Sequence, residues 1–138
     1  MDVEVRWRPY EIHAAVPPEG MPVEDLPYSP EQWARMQEAL RQSAGEEGLE
    51  VGKRPKVSNT HRALMAGEYA RVEEPERFPV FHEVIFKAYF AQGHDLGDPA
   101  VVEDVARSCG LDVAPARLRA RHLRRETRLE RIGRLWHL

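Results

Sequence analysis

The sequence contains a single cysteine, Cys109, and it has no long run of uncharged apolar residues. One cysteine excludes both an internal disulfide framework and a C-x-x-C redox pair within these 138 residues. No segment approaches the roughly 18 apolar residues of a membrane span, and the N-terminal residues lack the apolar core of a signal peptide. We therefore expect a cytoplasmic protein that has no membrane partner.

Metal-site and catalytic patterns are missing as well. Glu73, Glu74 and Glu76 form an acidic cluster around Pro75 that we expect to be solvated, since paired-carboxylate catalysis would need a cleft. No pair stands at zinc-ligand spacing among the histidines, which are His13, His61, His82, His94, His122 and His137. The sequence thus predicts no catalytic residue, no metal ligand and no cofactor.

Charge is distributed unevenly along the chain, whose net charge is −3. Eight arginines and two glutamates between Arg117 and Arg134 give that segment a charge of +6, which leaves −9 on the remainder. Such a segment could contact phosphates, but no aromatic residue interleaves the arginines before Trp136 and no nucleic-acid recognition motif occurs. A solvated basic helix, or one packed on the acidic body, is therefore favoured over a nucleic-acid partner.

The hydrophobic pattern predicts one strand and five helices. Val3–Trp7 alternates apolar and charged residues, as a strand does, whereas five prolines in residues 16–30 indicate an irregular connection. Ser29-Pro30 and Asp98-Pro99 are typical helix starts, because a capping residue precedes a proline. The expected helices cover about residues 30–48, 59–70, 76–92, 98–110 and 115–136.

A lone strand leaves its backbone N–H and C=O groups unpaired, and even an isolated hairpin is marginal in water. The strand Val3–Trp7 therefore needs a partner from another segment of the chain or from a second chain. We expect a homodimer, in which two copies of this strand pair across a two-fold axis or helix faces are exchanged.

Five segments follow the order and spacing of a known family. Val3–Tyr10 is similar to its strand pattern V-x-V-x-W-x-P-[FY], and Pro17–Gly20 to the loop that follows. Ser58–Ala63 is similar to N-T-x-x-A, Phe86–Leu96 to L-F-x-A-Y-F-x-x-G-x-D-I, and Ala106–Asp112 to A-x-x-x-G-L-D. Together they resemble the FrnE type of DsbA-like thiol oxidoreductases, which are relatives of the 2-hydroxychromene-2-carboxylate isomerases.

In that family a helical domain is inserted into a thioredoxin-like fold. The resemblance therefore implies a mainly α chain with a residual thioredoxin-type strand in residues 1–15, a helical insertion domain in 16–113 and a basic C-terminal helix in 114–138. The family's C-x-x-C helix would precede Met1, and its cis-proline loop and last two strands would follow about residue 130. The resemblance thus leads us to expect a truncated form.

The activity of the family is thiol–disulfide exchange, or glutathione-dependent isomerisation in its relatives. Because the cysteine pair is missing, we expect the chain not to exchange disulfides on its own. Two other function classes stay open: a noncatalytic dimerising interaction module, and a nucleic-acid binder that uses Arg117–Arg134.

Asn59 and Thr60 are the strongest binding candidates. An asparagine at a helix start leaves backbone N–H groups available to an anion such as a carboxylate, and Arg54 would add positive charge. The resemblance points to the same region, because the isomerase relatives hold glutathione or substrate beside it. We therefore predict a small thiol or anionic ligand near Asn59, the simpler alternative being that Asn59 is a helix cap.

Cys109 falls at the C-terminal end of the fourth expected helix. There the helix dipole favours the neutral thiol over the thiolate. We predict a buried, apolar and slowly reacting cysteine.

Overall fold

Four α-helices form most of the architecture in this computed structural model, which describes residues 1–54 and 56–111. They are α1 (Pro30–Glu46), α2 (His61–Glu73), α3 (Phe78–Phe86) and α4 (Pro99–Ser108). α3 continues directly into a π-helical segment, Lys87–Ala91, and a short 3-10 helix covers Val23–Asp25. The prediction of a mainly α fold is confirmed.

The described part of the chain contains one small sheet. Strand β1 (Met21–Pro22) pairs antiparallel with β2 (Lys56–Val57), so that Met21 lies opposite Val57. A proline is tolerated in β1 because a two-stranded sheet consists of edges. The sheet thus connects the proline-rich residues 16–30 by hydrogen bonds to the segment that leads into α2.

Helix boundaries follow local sequence signals. The Ser29 hydroxyl accepts a hydrogen bond from the backbone N–H of Gln32, whose side chain accepts one from the backbone N–H of Ser29, which completes a capping box. Asp98 caps α4 with its carboxylate. Cys109 caps the C-terminal end of α4, and Gly110 follows it with a φ of 73°, in the left-handed region that glycine adopts without strain.

The main core lies where α2, α3 and α4 meet. Phe81 of α3 is 1% exposed, and it packs with Ala66 and Ala70 of α2 and with Val102 and Ala106 of α4. The small alanines let the helix backbones approach closely around the phenylalanine ring. A second apolar cluster joins α1 to the proline-rich connection through Trp33, Val16, Leu26 and Val57.

The predicted strand Val3–Trp7 is wrong for the structure as described. These residues form no ladder with any other described residue, and the sheet uses Met21–Pro22 and Lys56–Val57 instead. The alternation of apolar and charged residues is compatible with a strand, but a strand also needs a second strand beside it with which to form hydrogen bonds. The side chain of Trp7 instead contacts the His82 ring of α3, at 4.3 Å between centroids.

The third predicted helix is confirmed, although it changes to π-helical geometry at Lys87. The second runs to Glu73, three residues past the expected end. The predicted basic helix in residues 114–138 lies outside the described residues, and the predicted domain boundaries stay predictions. Among the helices that the structure describes, none combines the length and the hydrophobicity that crossing a membrane requires.

Candidate binding site before the second helix

The segment Lys56–Thr60 runs from β2 into α2 and meets the loop that follows the π-helical segment. The carboxylate of Asp95 in that loop is the centre of the contact. Ser58 Oγ donates to Asp95 Oδ1 at 2.9 Å, the backbone N–H of Gly97 donates to the same oxygen at 3.0 Å, and Lys56 Nζ lies 2.9 Å from Oδ2. One acidic side chain thus joins β2, the start of α2 and the loop before α4.

The protonation state of Asp95 follows from these contacts. Burial alone raises the pKa of this carboxyl, but the hydrogen bonds from Lys56, Ser58 and the backbone of Gly97 outweigh burial and lower the pKa below its ordinary value. The carboxylate is therefore ionised at neutral pH, and its charge is balanced by Lys56. A ligand anion at this place would compete with Asp95 for the lysine.

Asn59 uses both ends of its amide within the fold. Its Oδ1 accepts from the backbone N–H of His61 at 3.0 Å, and its Nδ2 donates to the backbone carbonyl of Val16 at 2.7 Å. Thr60 is the residue that precedes the first helical turn, and its side chain makes no capping hydrogen bond. Asn59 therefore caps α2 from one position further back than the sequence suggested. The anionic ligand at Asn59 and Thr60 stays a prediction.

Arg54 lies on an aromatic surface next to this junction. Its guanidinium is 4.8 Å from the centre of the Tyr89 ring and 4.9 Å from that of Phe90, and Nη2 donates to Gln37 Oε1 at 3.2 Å. Tyr89 connects the two places, because its hydroxyl accepts from the backbone N–H of Ser58 at 3.4 Å. The structure thus brings Asn59 and Thr60 together at the helix start and places Arg54 beside Tyr89.

Sequence reasoning missed the roles of Lys56, Ser58 and Asp95. Ser58 and Asp95 are separated by 37 residues, so no local pattern relates them. One local signal for Asp95 was present in the sequence. An aspartate readily accepts a hydrogen bond from the backbone N–H two residues further on, so Asp95 followed by Gly97 indicates a turn held by the aspartate side chain.

Replacing Asn59 with alanine should lower the free energy of unfolding by about 1–2 kcal/mol, because the cap of α2 and the bond to Val16 are both lost. The matched control is Asn59→Ser, whose hydroxyl can still accept from the N–H of His61 but is too short to reach the carbonyl of Val16. We expect its loss, measured by urea unfolding, to be smaller than that of Asn59→Ala. Equal stability of Asn59→Ala and the wild type would show that the junction does not depend on this side chain.

Cys109 is the residue that ends α4, and it is half-buried rather than fully buried. Its backbone carbonyl accepts from Arg77 Nη1 at 3.3 Å, and its sulfur lies 3.8 Å from Ser108 Oγ.

In the native protein Cys109 should react with an Ellman-type reagent about tenfold more slowly than in the urea-unfolded protein, because its half-burial limits the access of the reagent to the sulfur. The measurement is the rate of absorbance change in the two states at one pH. A native rate equal to the unfolded one would contradict this placement of the thiol.

Within residues 1–54 and 56–111, no three histidine, cysteine, aspartate or glutamate side chains come together in the arrangement of a metal site.

Comparison with known proteins adds to this geometry. Residues 1–124 match the DSBA-like thioredoxin domain. The chain is 29% identical over 114 residues to the uncharacterized protein YwbO of Bacillus subtilis (strain 168), a match that covers 82% of this chain. The chain spans about half the length of that curated relative, 54%. No solved structure matches at a significant level. The match over most of its length shows that the chain belongs to the DsbA-like thioredoxin domain family.

Proposed function

We propose that this chain is a helical part of a DsbA-like thiol oxidoreductase of the FrnE type, and that it does not exchange disulfides on its own. The observation that carries the proposal is the single cysteine at the C-terminal end of α4. In disulfide exchange a thiolate attacks one sulfur and forms a mixed disulfide, which a second thiol then resolves. A chain with one thiol has no resolving partner of its own.

The placement of Cys109 supports the same proposal. Reactive cysteines in this chemistry lie at helix N-termini or beside cations that lower the pKa of the thiol. Cys109 lies at the opposite end of a helix, and its contact with Arg77 is made by the backbone carbonyl, not by sulfur. Neither of these activating arrangements is seen at the Cys109 sulfur in the part of the chain that the structure describes, which supports the proposed lack of exchange.

The helical part would then support a thiol pair that is supplied by another polypeptide segment. The aromatic surface of Tyr89 and Phe90, with Arg54 on it, lies in the segment whose sequence carries the FrnE-like pattern. This segment is π-helical, a geometry that is frequent at functional sites.

The test is the reduction of insulin disulfides by dithiothreitol, followed by turbidity. The pure protein should leave the rate at that of dithiothreitol alone, and a thioredoxin with an intact C-x-x-C motif serves as the positive control. Cys109→Ser is the matched variant, and it should behave as the wild type does. Acceleration typical of C-x-x-C enzymes, lost in Cys109→Ser, would overturn the proposal.

The nucleic-acid alternative rests on Arg117–Arg134, which lies outside the described residues. It predicts binding that weakens steeply with salt, since released counterions drive such contacts.

A further inference from the structure

The N-terminal segment, residues 2–8, has a charge pattern that is antisymmetric about its centre. Asp2 and Glu4 precede Val5, and Arg6 and Arg8 follow it at the same distances. The positions between the charges hold the apolar side chains of Val3, Val5 and Trp7. Such a segment is complementary to a copy of itself that runs in the opposite direction.

This segment is exposed in the single chain. Val3 is 72% exposed, Val5 63% and Trp7 51%, and the segment forms no ladder with the other residues that the structure describes. Glu4 and Arg6 pair with each other at 2.9 Å while their side chains remain more than two-thirds exposed. An ion pair so exposed contributes little, so its two charges are free to exchange partners at small cost.

We propose that this segment pairs antiparallel with the same segment of a second copy of the chain, with the two-fold axis at Val5. In this register Asp2 lies opposite Arg8, Glu4 opposite Arg6, and Val3 opposite Trp7. Residues that lie directly opposite each other share a face of the sheet. One face of the ribbon therefore carries four ion pairs, and the other carries the apolar side chains of both copies.

Other registers of the same segment are less favourable. An axis at Glu4 brings two glutamates together, and an axis at Arg6 brings two arginines together, where like charges directly opposite are destabilising. A slip by one residue sets charged side chains against apolar ones on both faces. A parallel, in-register pair sets every charge against its own copy. The sequence thus specifies one register through both charge and hydrophobicity.

Within each chain, the apolar face of this segment already contacts α3 through Trp7. The ring of Trp7 lies on His82, which also contacts Phe78 at 5.3 Å and Phe86 at 4.8 Å between centroids. Burial lowers the pKa of His82, so this ring is uncharged at physiological pH and can stack on the neighbouring aromatic rings without the cost of burying a charge. A bare two-stranded ribbon is marginal in water, and packing on a helix supplies what it lacks. Pairing would therefore add the apolar side chains of a second copy to the aromatic contacts between Trp7 and α3.

The first test is disulfide capture at the axis, using Val5→Cys in a Cys109→Ser background. Residues directly opposite in an antiparallel pair have Cα atoms about 4.5–5.5 Å apart, which is within disulfide range. The matched control is Val3→Cys in the same background, since its own copy would lie four residues away along the ribbon. We expect the Val5→Cys protein to form the disulfide dimer at least about tenfold faster than the control. Equal rates, or faster capture through Val3→Cys, would overturn the register.

The second test uses charge reversal and measures native mass by light scattering. Glu4→Arg and Arg6→Glu each set like charges against each other twice in the dimer, so each protein alone should dissociate roughly tenfold more readily. A one-to-one mixture of the two variants restores both ion pairs between chains, but not within either chain, and should recover the dimer. A wild-type protein that is monomeric at high micromolar concentration would overturn the proposal, as would a mixture that dimerises no better than its components.

These outcomes are separate from the proposal on disulfide exchange, which insulin reduction tests. A monomer without exchange activity would overturn the pairing with a second copy and leave the proposed lack of exchange standing. A dimer that reduces insulin would overturn the proposed lack of exchange and leave the pairing standing.

Discussion

Replacing Phe81 with alanine is expected to lower the free energy of unfolding by about 3–5 kcal/mol. Phe81 is 1% exposed and fills the space between α2, α3 and α4, where Ala66 and Val102 are fully buried against it. Truncation removes the apolar contacts of the ring and leaves a cavity that neighbouring alanines are too small to fill. Because small domains are stable by about 5–15 kcal/mol, this single change should remove a large part of the total.

The matched control is Phe86→Ala, which removes the same side chain from the same helix. Phe86 is 49% exposed, so its truncation should cost less than about 1 kcal/mol. Both variants are compared with the wild type by urea unfolding, monitored by helical circular dichroism. Similar losses in the two variants would show that the core is not centred on Phe81.

Replacing Asp95 with asparagine is expected to cost about 1.5–3 kcal/mol at neutral pH, the range for hydrogen bonds to a charged group. The substitution keeps the size of the side chain but removes the charge that holds Lys56, and it weakens the acceptor of Ser58 Oγ. The control is Asp104→Asn, whose ion pair with Arg107 is exposed. It should leave stability almost unchanged.

The effect of Asp95→Asn should depend on pH. The pKa of Asp95 is lowered in the folded protein, so the unfolded chain takes up the proton first as pH falls. The stabilisation by Asp95 is therefore complete above the unfolded pKa of about 3.9 and is lost as pH falls through the folded pKa. The stability difference between wild type and Asp95→Asn should be constant from neutral pH to about pH 5 and shrink below about pH 4. A difference that stays constant into acid would contradict the role of the charge.

The start of α1 and both ends of α4 were predictable, because their causes lie within a few residues. The reciprocal bonds of Ser29 and Gln32, the cap by Asp98 and the left-handed Gly110 each depend on neighbours in sequence. The apolar stripe of α3 likewise contained the buried Phe81 and Ile85. These local signals were sufficient for a mainly α fold.

Contacts between distant residues could not be predicted in this way. The pairing of Met21 with Val57 joins a proline-rich segment to the start of α2, and the bond between Ser58 and Asp95 spans 37 residues. The alternation in Val3–Trp7 likewise predicts a strand but gives no information on where a pairing partner lies. Asn59 was identified as a cap, while its second bond, to Val16, depends on the folded chain.

Family membership came from the order of several short segments rather than from any one of them. The match of residues 1–124 to the DSBA-like thioredoxin domain confirms the family, and the FrnE type remains a prediction. The proposed lack of disulfide exchange rests on the single cysteine in the sequence.

The most direct test of the proposed lack of exchange is the oxidative refolding of a reduced, multi-disulfide protein in glutathione buffer. A single thiol can still form a mixed disulfide with the refolding protein, which another thiol of that protein or glutathione then resolves, so this assay detects exchange by a protein with one cysteine. The recovery rate with the pure protein should equal that in buffer alone and that with Cys109→Ser. Faster recovery that disappears in Cys109→Ser would contradict a noncatalytic role and would make Cys109 a working thiol.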